Sequence, residues 1–324
     1  MPILMQGSPI GEFNEMLRHM LHSSRAFIGL LLAATASFWF VVGLQEAWGQ
    51  QPEGRLTGRV EVRELDETSG LVVSRRNDGV LWMHNDGASP RLYAVSKSGK
   101  HLANLDVAVV LTDVEDIAIG PGPDKDRDYL YVGDIGDNDS QRKAIRVCRV
   151  PEPQLDTTRR VHLRATEFEE FLLTLPQGAH DSEALLVDPE NGDLYIITKE
   201  KKRAKVYHVA AANLVAGETT SLKLVCNIKV KKISGGDISP DGKMILLRNE
   251  GDGWLWRREP EETIVEALAL RDPVEVPVRT QLQARNGESV GFTGDSQGYY
   301  TISEGKQQAL CWFPTPSVPP SSGE

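Results

Sequence analysis

Glu115, Asp116, Asp134, Asp137 and Asn138 are the residues of this 324-residue sequence whose types and spacing most directly suggest chemistry. They bracket a stretch that runs Asp113-Val-Glu-Asp-Ile-Ala-Ile-Gly120, crosses an acidic linker, and continues Tyr129-Leu-Tyr-Val-Gly-Asp134-Ile-Gly-Asp-Asn138. Two short runs rich in Ile, Val, Leu and Tyr around a Gly-Pro-Gly-Pro tip predict a β-hairpin. In such a hairpin the start of the first strand lies beside the end of the second, so the acids share one small volume. Carboxylates held that close repel one another unless a cation, a basic partner or a bound ligand compensates them. An all-oxygen set suits a hard cation, and Ca²⁺, with its loose geometry, fits better than Mg²⁺. His84, His180 and His208 lack ligand spacing and there is no Cys pair, so no transition-metal pattern competes.

The elements that must position these acids recur along the chain. Glu67-Thr-Ser-Gly-Leu-Val-Val-Ser leads through Asn77-Asp-Gly79 to Val80-Leu-Trp-Met-His-Asn85-Asp86, and similar hairpins begin at Glu183, Asp237 and Glu288. The leading acids Glu67, Glu115, Glu183, Asp237 and Glu288 are 48, 68, 54 and 51 residues apart. That spacing predicts an all-β fold, a β-propeller of four-stranded blades. Five blades is the literal count, and six if the longest interval hides a degenerate unit. Third and fourth strands follow most hairpins, with Ile264 to Leu270 taken as the outer strand of the fourth unit. The fifth unit has no outer strand of its own. The run Gly58 to Glu64 ahead of the first unit is expected to fill that place and close the ring, which removes exposed sheet edges.

In a propeller the first strand of each blade lines the central channel. The mouth is therefore expected to collect Glu67, Asn85, Asp86, Glu115, Asp116, Asp134, Glu183, Lys199, Asp237, Arg248, Asn249, Glu288 and Glu304. The expected metal ligands among the repeat acids and the hairpin end are Glu67, Glu115, Asp116, Asp134, Asp137, Asn138, Glu183, Asp237 and Glu288. A structural alternative stands beside this one. Acids at blade starts also accept hydrogen bonds from neighbouring backbone amides and hold blades in register without any ligand. That alternative suits Asp134-Ile-Gly-Asp-Asn138 less well, because three oxygen-bearing side chains crowd there around Gly136. The tip Asp124 to Asp128 lacks the Gly and distal Glu of an EF-hand and reads as solvated. Ser182 is not in a nucleophile elbow.

Residues 26–44 carry no charge, follow Arg18 and Arg25, and precede Ala47-Trp48-Gly49, as an export signal does. The expected organisation is a signal peptide or signal anchor over 1–49, one propeller over 50–313 and a disordered Pro- and Ser-rich tail over 314–324. The protein is then periplasmic or secreted, with membrane attachment only if the apolar segment is retained. The full chain has a formal charge of −10. An acidic chain without clustered Lys and Arg argues against nucleic-acid binding. The lone basic run, Lys199 to Lys205, reads as a solvated hairpin tip. Cys148, Cys226 and Cys311 read as small apolar residues rather than a disulfide framework. A monomer is expected.

The set Glu67-x-Ser-Gly-Leu, Asn85-Asp-Gly, Asp113-x-Glu-Asp-Ile-Ala, Gly133-Asp-Ile-Gly-Asp-Asn138, Asp181-x-Glu-Ala-Leu185, Thr198-Lys199 and Asp237-x-Ser-Pro-Asp-Gly242 resembles a family of exported bacterial β-propeller proteins. That family is similar to the phytase-like and SdiA-regulated propellers. The resemblance spans roughly residues 60–313 and implies a propeller, export and calcium at the channel mouth. By analogy with phytase-like propellers, Lys199 and Arg248 would hold a phosphate beside metal-bound carboxylates. By analogy with lactonase or esterase propellers, His84 or His180 would be the base. The function implied is binding or hydrolysis of a small anionic ester, phosphate preferred. The rival is a non-catalytic scaffold for a cell-surface partner, in which Lys199 and Arg248 pair with neighbouring acids.

Overall fold

The computed structural model describes residues 53–317. The expected export segment over 1–49 lies outside the described residues, as do residues 318–324 of the expected tail. No helix among the described residues is long and apolar enough to cross a membrane.

The strand-forming runs are β-branched and apolar, and they are closed by Gly-bearing turns that permit positive φ, as at Gly79, Gly192 and Gly242. After β1 (Arg55–Arg59), the first blade is built from β2 (Thr68–Val73), β3 (Val80–Asn85), β4 (Arg91–Ser96) and β5 (His101–Val107). The second contains β6 (Val114–Pro121), β7 (Asp128–Asp134) and β8 (Ile145–Pro151), followed by β9 (Val161–Ala165) and β10 (Glu169–Thr174). The third contains β11 (Ser182–Val187), β12 (Leu194–Thr198), β13 (Ala204–Val209), β14 (Thr219–Ser221) and β15 (Lys223–Ile228). The fourth is β16 (Gly235–Ile238), β17 (Met244–Arg248), β18 (Gly253–Arg257), helix α1 (Ile264–Leu270) and β19 (Val274–Val276). The fifth is β20 (Ser289–Phe292), β21 (Gly298–Ile302) and β22 (Ala309–Pro314).

Strands β2, β6, β11, β16 and β20 pack against one another in that order and β20 returns to β2, so five blades close a ring. The fifth blade is completed by β1, antiparallel to β22 with Arg55 opposite Trp312. The closing strand therefore starts a few residues ahead of the expected Gly58 to Glu64 run. The core is divided into five clusters, one in each gap between neighbouring blades. Trp256 sits in the cluster between the third and fourth blades with Trp254 packed against it. All three cysteines are free, Cys148 and Cys311 buried and Cys226 half-buried.

The 68-residue interval hides no sixth blade. It is filled by β9, which leaves the second blade and pairs parallel with β5 of the first. The link before the third blade's outer strand does the same, with β14 parallel to β10. In the fourth blade the corresponding link is α1, which packs against β15 of the third blade. Ile264 to Leu270 is thus a helix, not the outer strand expected from its apolar composition. A capping box starts it: Thr263 Oγ1 accepts from the Glu266 N–H and the Glu266 carboxylate accepts from the Thr263 N–H. Ile264, Ala267 and Leu268, at helical spacing, are the buried face. The outer strand is β19, paired with β18. At the other end of the chain, Thr315 N–H donates to Gln297 O at 3.0 Å, so the described start of the expected tail still belongs to the fifth blade.

Candidate metal centre at the channel mouth

Strand pairing decides which acids meet. In the first three blades the pairing register slips by one residue at the start of the inner strand, leaving Ser69, Glu115 and Glu183 as the extra residues. A bulge of this kind bends the strand and re-aims one side chain. The residues just before the first paired position are Glu67, Asp113, Asp181, Ser234 and Glu288. The five leading acids of the sequence repeat therefore occupy different positions of the strand and do not form one ring.

Glu115, Glu183 and Glu288 do converge. One carboxylate oxygen from each lies within 4.8 Å of the other two, and all three residues are buried. A second group, Asp86, Asp113 and Glu115, is equally tight and more open to solvent, so Glu115 joins both. Lys199 Nζ donates to Glu183 Oε1 at 2.8 Å. The Ser69 hydroxyl lies 3.2 Å from Glu288 Oε2 and 2.6 Å from the Glu115 carbonyl oxygen. Glu183 Oε2 is buried with no hydrogen-bond partner.

Gly136 makes room for this gathering. A Cβ there would stand 2.4 Å from Glu115 Oε1 and 2.5 Å from Asp113 Oδ2. Its φ is not positive, so what it supplies is close approach.

The electrostatics follow from burial. Burial pushes the Glu115 carboxyl well above the ordinary range, and the neighbouring Glu183, Asp86, Asp113 and Glu288 push it further. Burial also raises Glu183, against the opposing pull of Lys199. Glu288 is pushed up to about 7 by burial, with Lys199 opposing and Glu304 adding to the rise. Burial would strip the charge from Lys199, yet Glu183, Glu288 and Glu115 hold it above its usual value. Two carboxylates under 4.8 Å apart repel by on the order of 3 kcal/mol at an effective dielectric near 20. Three such pairs exceed what one ammonium offsets, so the cluster takes up protons or a cation.

The remaining expected ligands are held elsewhere. Asp116 accepts from the Ile117 N–H at 2.9 Å and from the Leu185 N–H of the next blade at 3.0 Å. Asp237 repeats this arrangement with Ile238 at 2.8 Å and Phe292 of the next blade at 2.7 Å. These two carboxylates tie blade to blade, as the structural alternative foresaw. Asp134 is fully buried against Arg142, 2.9 Å away, with Arg146 at 3.5 Å. Asp137 caps the following turn, accepting from the Gln141 and Arg142 amides at 2.8 Å each. Asn138 is exposed at the mouth, where it lines a cleft beside Lys199. Glu67 is exposed and outside both tight groups.

The expected catalytic residues part company too. Arg248 is fully buried and donates to the carbonyls of Asn249 at 3.0 Å, Ser289 at 3.0 Å and Glu250 at 3.4 Å, which seals its guanidinium inside the wall behind Glu288. Burial brings it down to about 10. His180 lies between Glu200, 3.1 Å from Nδ1, and Lys205, whose Nζ is 2.7 Å from Nε2, so both ring nitrogens are engaged. Burial holds it below its ordinary value. His84 is fully buried, donates from Nδ1 to the Asn85 carbonyl at 2.8 Å, and is lowered to about 4 by burial.

Asp86 and Asp113 are acids that could join a metal site and that sequence reasoning left out of the expected metal set. The signal was present, because both stand in the repeated motifs, but only the turn at Asn85-Asp-Gly brings Asp86 to its neighbour's strand. Gly87 O accepts from the Val114 N–H at 2.9 Å and fixes that approach.

No protein-family profile matches the chain. None of the curated proteins matches it in sequence. Among solved structures, it is similar to a 6-phosphogluconolactonase candidate from Bacteroides uniformis, at 14% identity and a TM-score of 0.40, covering 79% of this chain and 69% of that one. It is also similar to the PQQ-bound aldose sugar dehydrogenase from Streptomyces coelicolor, at 10% identity and a TM-score of 0.45, covering 82% of this chain and 99% of that one. At such identities and scores neither likeness bears on activity.

Proposed function

We propose that this propeller binds a divalent cation, Ca²⁺ by donor chemistry, at Glu115, Glu183 and Glu288 with Asp86 and Asp113 beside them, and that the bound cation and Lys199 take up a small anionic ester, phosphate preferred. The observation that carries this reading is the buried, unpartnered Glu183 Oε2 inside a triad of carboxylates within 4.8 Å of one another. The residues fit the ion on two counts. Every donor is a carboxylate oxygen, as a hard cation requires, and Gly136 leaves open the space that a Cβ would fill. A bound Ca²⁺ would supply Lewis-acid polarisation of an ester oxygen. This chain's own part is to hold the ion and to present the Lys199 ammonium to the anion. Export to the periplasm or medium belongs to the same proposal.

A scaffold reading has its own support: Arg248 is sealed within the wall and Lys199 pairs with Glu183. One experiment separates the two. The purified propeller is assayed on a generic phosphate ester and a generic carboxylic ester, each with Ca²⁺ and with chelator. Turnover that chelator abolishes supports the ester reading; turnover on neither ester, with Ca²⁺ bound, leaves the scaffold.

A further inference from the structure

Lys199 belongs to two places at once. Besides pairing with Glu183 it lines a cleft of about 710 Å³ between the third and fourth blades, which also includes Asn138, Lys232, Ser234, Asn249 and Asp252. Small-molecule sites of about 300–1,000 Å³ are usually lined mainly by apolar and aromatic side chains. This cleft is lined by none: every residue around it is charged, hydroxyl- or amide-bearing, or Gly. Lysines and carboxylates both contribute, so donors and acceptors are interleaved and neither sign dominates. A ligand that satisfies such a wall carries hydrogen-bonding groups on most sides, with the methylene stems of the lysines offering surface to its C–H faces.

Ser234 makes the cleft more than a polar dent. It is 1% exposed and its hydroxyl has no hydrogen-bond partner. A buried hydroxyl left unpaired costs about 1–3 kcal/mol, so the position favours an arriving partner. It also stands just before the first paired residue of β16, where the other blades carry Glu67, Asp113, Asp181 and Glu288. The fourth blade thus offers a neutral hydroxyl where the others offer a carboxylate. The facing wall is preformed, since Asn249 Oδ1 accepts from the Gly251 N–H at 2.9 Å and the Asp252 N–H at 2.7 Å.

We infer that this cleft binds an uncharged polyhydroxylated unit, a sugar, with Ser234 as a direct contact, and that the ester proposed above is a sugar ester whose anionic group sits at the cation and Lys199. The second half rests on that proposed function; the cleft does not. The test uses the whole propeller in Ca²⁺ with three probes: glucose 6-phosphate, glucose and phenyl phosphate. Binding is read by calorimetry and ligand-observed NMR saturation transfer, for the natural chain and for Ser234→Ala. That substitution removes a buried hydroxyl with no hydrogen-bond partner, so the melting temperature is expected to hold or rise and not to fall.

Glucose 6-phosphate is expected to bind about tenfold tighter than phenyl phosphate, and Ser234→Ala to weaken both sugar probes about tenfold while leaving phenyl phosphate alone. Equal binding of the two phosphates, unaffected by Ser234→Ala, overturns the sugar cleft and leaves the proposed function standing. Glucose binding weakened by Ser234→Ala, with no binding of either phosphate, supports the cleft and overturns the ester. No saturation transfer to either sugar overturns the inference.

Discussion

Lys199 Nζ sits 2.8 Å from Glu183 Oε1, while Oε2 of that same carboxylate is buried without a partner. One ammonium therefore satisfies half of one carboxylate in a group of three. Its removal is expected to have opposite effects on two ligands. Lys199→Met should tighten Ca²⁺ binding, because a positive charge leaves the site, and weaken binding of an inorganic phosphate probe by tenfold or more. Calorimetric titration with each checks the pair of signs. A change in the same direction for both would show that Lys199 only supports the fold.

Ca²⁺ should raise the melting temperature of the natural protein. At a hundredfold excess over the dissociation constant, the stabilisation is about 2.7 kcal/mol, or roughly 5–10 °C for a domain of this size. Glu183→Gln should reverse the order of the two proteins. In chelator it melts higher than the natural chain, because a buried repulsion is relieved, and in Ca²⁺ it melts lower. Differential scanning calorimetry in both conditions reads the crossing.

Gly136→Ala adds a single methyl group 2.4 Å from Glu115 Oε1 and 2.5 Å from Asp113 Oδ2. Calcium affinity is expected to fall at least tenfold with the circular dichroism of the strands unchanged. An unaltered affinity would place the ion, if any, away from Glu115.

The pH dependence has a definite sign. The Glu288 carboxyl is raised by burial from 4.5 to about 7, and Glu115 and Glu183 are raised in the same direction. A carboxyl raised in the folded state binds more protons there than in the unfolded chain. In chelator, the stability it contributes is fully present below about pH 4.5 and is lost as pH rises through about 7. Calcium competes with those protons, so the loss should flatten when the ion is added and calcium affinity should rise with pH. Urea midpoints between pH 5 and 8, with and without Ca²⁺, check both statements.

Asp116→Asn and Asp237→Asn test the acids placed between blades. Each replaces one accepting oxygen with an NH₂ that faces a backbone N–H, at Leu185 or Phe292 or at the residue that follows. A loss of about 1–3 kcal/mol is expected from each, with calcium affinity unchanged. Denaturant melts paired with calcium titrations distinguish this from ligation.

Much of the architecture was legible before any coordinates. Alternating apolar runs and Asn-Gly or Asp-Gly turns at intervals near fifty residues fix hairpins, and hairpins that cannot bury two faces alone must stack into a ring. The Thr263 to Glu266 capping box was equally readable, and it was missed because the apolar run behind it resembled the outer strands of the other units. Four members of the site, Glu115, Glu183, Glu288 and Lys199, also follow from the repeat. That Asp116 and Asp237 lie outside the site does not follow, since an acid beside a strand looks the same in sequence whether it faces an ion or a neighbouring amide.

What the sequence alone determined was local: strand periodicity, turn chemistry, and the return of an acid at the start of each unit. Which acids meet was decided by tertiary structure. A one-residue slip in pairing aims Glu115 and Glu183 at their neighbours, and adjacent blades supply the amides that draw Asp116 and Asp237 away. A side chain's direction depends on the register of a strand with its partner, and that register is set by packing between segments far apart in the chain.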